Sequence, residues 1–230
     1  MRIGGFQKFS LIDFPGKVSC VIFTQGCNFR CSYCHNKKLV LPNEFTSLMS
    51  EEEIMVFLEK RRHLLHGVVI TGGEPTIQHD LKDFMRKIKA LGYAVKLDTN
   101  GSRPDFLREI IDEKLVDFIA MDIKGPFSRY KELTGVDVDL NQILESVKLV
   151  EDSEIEYMFR TTVVKPLLQP QDLLQIAMQV KEPRKYVLQT FVAHEDVLDG
   201  DLLDKGHYDE ADVEGLREML NDFVIDKVVV

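Results

Sequence analysis

Three of the four cysteines in this 230-residue chain fall close together, as Cys27, Cys31 and Cys34, in C-x3-C-x2-C spacing. Thiolates are soft ligands that suit iron–sulfur clusters and zinc. Three of them this close can wrap one face of a metal centre. Their number matters as much as their spacing, because a closed zinc site or a fully protein-ligated four-iron cluster takes four protein ligands. Three thiolates on a four-iron cluster leave one iron open to a small molecule, and chemistry can happen at that open position. Two plainer readings use the same residues. His35 or a distant histidine would complete a zinc site, and free cysteines are often simply buried. The Asn, Arg and Ser residues of the segment read as a loop, which disfavours burial. The odd clustered count in a cysteine-poor chain disfavours a disulfide framework.

The loop needs elements to position it. Residues 18–24 form a short apolar, β-branched run that reads as a buried strand leading into the cysteines. Cys20 lies inside this run and reads as a small buried hydrophobe rather than a fourth ligand. Similar runs at 67–71, 93–97, 118–121, 156–164 and 186–191 predict five more strands. Between them the spacing predicts helices. One starts at Ser50 with a capping-box pattern through Glu53 and runs to about 65. Others span 79–91, stopped by Gly92, and 104–114, with Pro104 near the start. Further helical pieces are expected at 128–133, 140–151, 171–180 and 211–223. Residues 1–17, punctuated by Gly and Pro, read as lying over one end of the fold.

Six β-α units with buried strands predict a parallel sheet with outer helices. Six are too few for a complete eight-stranded barrel, and an open doubly wound sheet remains the alternative. Polar motifs follow four of the strands: Cys27–Cys34, Gly72-Gly73-Glu74-Pro75, Asp98-Thr99-Asn100-Gly101, and Asp122 with Lys124. Functional groups in parallel α/β folds collect at these strand ends. Gly72 and Gly73 would let backbone approach a ligand closely. Arg160 lies within an apolar strand, where its charge needs a carboxylate, either bound or from a neighbouring Asp or Glu.

The C-x3-C-x2-C motif with Tyr33 before its last cysteine resembles the signature of the radical S-adenosylmethionine superfamily. Asp13-Phe14-Pro15-Gly16, Gln25-Gly26-Cys27 and Cys34-His35-Asn36 look like the glycyl-radical-enzyme activases within it. The likeness extends to the activating proteins of anaerobic ribonucleoside-triphosphate reductase and of pyruvate formate-lyase. It covers roughly residues 5–191 and weakens after about 165. The resemblance implies a partial (β/α)6 barrel open at one side. It implies a 4Fe-4S cluster on Cys27, Cys31 and Cys34, and S-adenosyl-L-methionine on the open iron. By the same likeness Tyr33 presents backbone to the adenine, and Gly72, Gly73 and Glu74 hold the amino group. Lys124 and Arg160 meet the carboxylate, and Asp98, Thr99 and Asp122 gather a monovalent cation. His35 and Asn36 lie beside the cluster, with His35 as a hydrogen-bonding neighbour. The activases often carry a histidine on the last strand. Here that strand reads Gln189-Thr190 and the nearest histidine is His194.

The implied partners are a glycyl radical enzyme, namely a class III ribonucleotide reductase, and flavodoxin or ferredoxin as electron donor. A radical enzyme acting on a small molecule or a tRNA base, and a metal scaffold without turnover, compete with this reading. The net charge of −9 weighs against broad binding to nucleic-acid phosphates. The 44% hydrophobic content suffices for one core, and the length fits a single domain over 1–230, with its core at about 16–192 and an extension at 193–230. No apolar run approaches the roughly 20 residues of a membrane span. The start, Met1-Arg2-Ile3-Gly4-Gly5, does not read as a signal peptide. A reduced, cytoplasmic setting is expected.

Overall fold

The computed structural model describes residues 1–180, 186–192, 195–206 and 208–220. Its strands are β1 (Ile3–Ser10), β2 (Ser19–Thr24), β3 (Gly67–Gly72), β4 (Ala94–Thr99), β5 (Phe118–Asp122), β6 (Glu156–Val163) and β7 (Tyr186–Thr190). Its helices are α1 (Lys37–Val40), α2 (Glu51–Arg61), α3 (Leu81–Ala90), α4 (Pro104–Asp112), α5 (Tyr130–Thr134), α6 (Leu140–Asp152), α7 (Pro170–Gln179) and α8 (Glu210–Leu220). The strands form one sheet in the order β1-β2-β3-β4-β5-β6-β7. Pairing is parallel from β2 to β7, and β1 joins β2 antiparallel. Each parallel strand pairs with its successor and the order never reverses, which excludes the doubly wound alternative. The sheet does not close, as expected of the open (β/α)6 barrel.

Strand alternation divides the core in two. Cys20, Ile22, Val68, Ile70, Val95 and Leu97 pack in the main cluster with helix residues such as Ile54, Leu58, Phe84, Met85, Ile88, Leu107 and Ile110. The alternate residues Val21, Val69, Phe118, Ala120, Met158 and Val187 face the barrel interior and pack with Phe14 in a smaller cluster. Cys20 is fully buried among hydrophobes on the helix-facing side. Burial pushes its thiol up to about 12.

Helix α2 is capped where expected, by Ser50 Oγ accepting from Glu53 N at 3.4 Å. It ends at Arg61 rather than near 65. Helix α3 buries Leu81, Phe84, Met85 and Ile88 on one face. Gly92 follows at φ +87°, the left-handed turn that glycine takes cheaply.

Two elements on the N-terminal side are not legible in the sequence. Residues 3–10 form edge strand β1. Gly4-Gly5 and a half-exposed edge position left no apolar alternation to read. Helix α1, just after the cysteines, is too short to show a period. The terminal helix runs from Glu210 to Leu220. The rest of its expected span, 221–223, and His194 lie outside the described residues.

Candidate active site

Strand β2 ends at Thr24, and the chain turns through Gly26, at φ +108°, into the cysteine loop. The loop is tied down at several points. Arg30 N donates to Thr134 O at 2.7 Å, docking it on the end of α5. The Arg30 guanidinium donates to the carbonyls of Cys27 and Phe29, both at 2.7 Å. Asn28 accepts from Asn100 Nδ2 (2.9 Å) and donates to Ser102 Oγ (2.8 Å), joining the loop to the end of β4. Leu198 N donates to Cys34 O and Asp199 N to Ser32 O, both at 2.9 Å, so the C-terminal segment also holds the loop.

The end of β3 lies against the same loop. Gly73 N donates to Thr24 O (2.9 Å) and Glu74 N to Gly26 O (2.8 Å). A Cβ on Gly73 would fall 1.9 Å from Gly26 O, and one on Gly72 would fall 2.3 Å from Thr24 N, with φ at +117°. Both positions therefore require glycine for the packing of backbone on backbone. The Glu74 carboxylate is buried and already used. Its Oε1 accepts from Thr76 N (3.0 Å), Thr76 Oγ1 (2.6 Å) and Thr99 Oγ1 (2.8 Å), and its Oε2 from Asn100 N (2.7 Å). Burial raises its pKa against the pull of these donors. Glu74 thus ties the β3 end to the β4 end while also lining the cavity.

All twelve residues singled out in the sequence line one cavity of about 240 Å3: Cys27, Cys31, Tyr33, Cys34, Gly72, Gly73, Glu74, Asp98, Thr99, Asp122, Lys124 and Arg160. His35, Asn36 and Asn100 line it too. Gln189 and Thr190 do not. His35 Nε2 lies 2.6 Å from Val192 O, and its ring stacks on Phe191 at 4.9 Å and 11°.

An ion-pair network crosses the cavity wall. Arg160 donates through Nε to Asp122 Oδ1 (2.8 Å) and through Nη1 to Asp98 Oδ2 (3.1 Å). Lys124 Nζ donates to Asp122 Oδ2 at 3.1 Å. Burial works against the Asp122 carboxylate, yet the charges of Arg160 and Lys124 outweigh it and hold its pKa at about 2. Burial opposes charge on Lys124, yet Asp122, Tyr33 and Cys31 together outweigh burial and raise its pKa well above the ordinary range. The sequence reading missed Lys96, whose Nζ lies 3.2 Å from Asp98 Oδ1. Its signal was a charge within a buried strand, two residues before Asp98 and on the same face. It also missed the Asn28–Asn100 tie, because asparagines in loops have no spacing rule.

The donor set fits a three-thiolate cluster. Burial, and then the nearby Glu74 charge, push the Cys27 thiol up to about 12, and burial raises Cys31. These thiols hold their protons at neutral pH until a metal displaces them. Phe29 N already points at Cys27 Sγ, 3.4 Å away. Among the described residues, no three His, Cys, Asp or Glu side chains converge on a point suited to a single ion. Three thiols that each take a different iron do not need to.

Comparison with known proteins agrees with this geometry. Residues 21–180 match the radical SAM superfamily. The chain belongs to that superfamily, which implies a 4Fe-4S cluster and S-adenosylmethionine. Relatives narrow the class. The chain is 38% identical over 194 residues to a Methanocaldococcus jannaschii protein named as a glycyl-radical enzyme activating enzyme, covering 82% of this chain and 79% of that protein. It is 30% identical over 174 residues to pyruvate formate-lyase 1-activating enzyme of Escherichia coli, covering 71% and 68%. Among solved structures, SuiB of Streptococcus suis bound to S-adenosylmethionine superimposes with a TM-score of 0.72 at 15% identity, over 91% of this chain. This chain spans about half of SuiB, 49% of its length. A domain of pyruvate-formate lyase-activating enzyme from Bacteroides vulgatus matches with a TM-score of 0.57 at 18% identity, covering 71% of this chain and 98% of that one. At such identities these two structures support the fold alone. Among the described residues no helix is long and apolar enough to cross a membrane.

Proposed function

We propose that this chain cleaves S-adenosylmethionine reductively and installs a glycyl radical on a partner enzyme, an anaerobic ribonucleoside-triphosphate reductase. One observation carries the chemical part: three thiols share a cavity wall with a buried, charge-paired network and a glycine-built strand end. When bound, the cluster supplies one electron to the sulfonium, which gives methionine and a 5′-deoxyadenosyl radical able to take hydrogen from a glycine Cα.

The chain's own residues do the rest. Cys27, Cys31 and Cys34 would hold the cluster through their thiolates. The amides of Gly73 and Glu74 are committed to the end of β2 and to the start of the cysteine loop, at Thr24 O and Gly26 O. An ammonium there needs acceptors, so it takes the carbonyl oxygens of Gly72 and Gly73, while Glu74 keeps the two loops in register. Lys124 and Arg160 receive the carboxylate, and Tyr33 backbone meets the adenine. His35, stacked on Phe191, orients the end of the cysteine loop. Flavodoxin or ferredoxin supplies the electron in the reducing cytoplasm. The choice of partner rests on the activase relatives and on the resemblance to ribonucleotide reductase activating proteins.

The test is anaerobic. The protein, loaded with iron and sulfide, is given dithionite and S-adenosylmethionine, and 5′-deoxyadenosine is measured. The partner is then tested with ribonucleotide reductase and pyruvate formate-lyase subunits in parallel, reading the glycyl radical by electron paramagnetic resonance. A radical on the formate-lyase subunit alone refutes the partner. The absence of 5′-deoxyadenosine with either subunit refutes the reaction.

A further inference from the structure

Resemblance to the activases leads one to expect a monovalent cation gathered by Asp98, Thr99 and Asp122. In this chain the oxygens it would use are engaged. Asp98 Oδ2 accepts from Arg160 at 3.1 Å, and Asp122 accepts from Arg160 at 2.8 Å and from Lys124 at 3.1 Å. Thr99 Oγ1 donates to Glu74 and accepts from Gly101 N at 3.2 Å. Among these oxygens Asp98 Oδ1 makes no hydrogen bond, and it is the atom that Lys96 Nζ approaches to 3.2 Å. The contact is one of charge without hydrogen-bond direction, as with a bound alkali ion.

Lys96 is out of place by any packing argument. It pairs in register with Val69 on β3 and Phe118 on β5, in the apolar layer of the barrel interior. It is 3% exposed. A lysine there loses its hydration and needs compensation. Its stem lies in the apolar layer and its ammonium reaches toward Asp98, donating also to Asp13 O and lying 5.9 Å from the centre of the Phe118 ring. Two carboxylates, Asp98 and Asp122, thus face three cations, Lys96, Lys124 and Arg160. A sodium or potassium ion would add a fourth positive charge to a wall where Asp98 and Arg160 side chains are each only 12% exposed.

We propose that Lys96, together with Arg160, takes the place of the monovalent cation beside the S-adenosylmethionine site, so that this chain binds that ligand without sodium or potassium. The inference rests on reading the cavity as the S-adenosylmethionine site.

The experiment uses the full chain loaded anaerobically with iron and sulfide. S-adenosylmethionine affinity is measured by equilibrium dialysis in choline, sodium and potassium chloride at equal ionic strength. The expected dissociation constants agree within about twofold across the three salts, and binding about tenfold tighter in sodium or potassium than in choline overturns the proposal. Lys96→Met keeps the stem and removes the charge, and it is expected to acquire about a tenfold preference for sodium or potassium over choline. Indifference to salt in a folded Lys96→Met protein removes Lys96 from the role. Sodium nuclear magnetic resonance line widths, read without S-adenosylmethionine, give a separate answer. No specific broadening is expected from the wild type, and saturable broadening overturns the proposal. If the ligand binds in no salt, the reading of the cavity fails, while the sodium measurement still decides whether a cation site exists. Should Lys96→Met not fold, Lys96→Gln takes its place, and the wild-type titrations stand unaffected.

Discussion

At the N-terminal ends of the strands the barrel interior is filled by Phe14, Val21, Val69, Phe118 and Ala120 with Met158 and Val187. Toward the other ends of the same strands, the same face carries Asp98, Asp122 and Arg160, and beyond them the cysteine loop. The lower region is held by burial of apolar surface, which is non-directional and tolerant of exchange in kind. The upper region is held by paired charges and by backbone contacts as close as that of Gly73 on Gly26. Paired charges of this sort are expensive to bury and add little net stability. Their value is that they fix charges and backbone at defined points in the cavity. One end of the barrel secures the fold and the other uses it.

That division can be broken at either end. The largest effect is expected at the thiols. Changing Cys27, Cys31 or Cys34 to Ala reduces 5′-deoxyadenosine formation to background, while Cys20→Ala retains it. Full activity in Cys31→Ala is the outcome that sinks the assignment. At the lower end, Phe118→Ala loses about 3–5 kcal/mol of stability in denaturant titrations. It should leave iron bound per folded chain unchanged, and a loss of iron there would show that the two ends are not separable. Gly73→Ala acts on both properties. Its methyl group meets the Gly26 carbonyl, so a cost of about 1–3 kcal/mol is expected, with reduced iron content.

The smallest effect is a pH dependence. Asp122 has a pKa held at about 2 in the folded chain, below the ordinary carboxylate value. Its contribution to stability is complete above that ordinary value, near 4, and is lost as the pH falls from there through about 2. The side chain is 27% exposed, so the contribution is on the order of 1–2 kcal/mol. The stability gap between wild type and Asp122→Asn, measured by urea unfolding, should therefore shrink as the pH is lowered from 5 toward 2.5. A constant gap would show that Asp122 is not the titrating group.

Part of this protein was determined locally and is legible in the chain. Buried β-branched runs alternating with amphipathic segments specify six β-α units, because periodicity reports burial. C-x3-C-x2-C marks a site for soft metal ligation, and its resemblance to the radical S-adenosylmethionine signature, rather than the spacing alone, points to the cluster. The residues at the ends of the strands could be picked out because parallel sheets gather function there. Other features were decided only by tertiary structure. Edge strand β1 carries too little apolar alternation to be read, and its place depends on the free edge of β2. The sequence shows Glu74 beside two glycines. Only the fold shows its carboxylate spent on Thr76, Thr99 and Asn100, residues on a neighbouring turn and a neighbouring strand. Lys96 shows in the sequence only as a charge within a strand, and only the sheet sets its ammonium beside Asp98, which Arg160 also reaches. Periodicity and motif spacing are properties of neighbours along the chain. The pairing of charges from β4, β5 and β6 depends on distances that exist only once the sheet has formed.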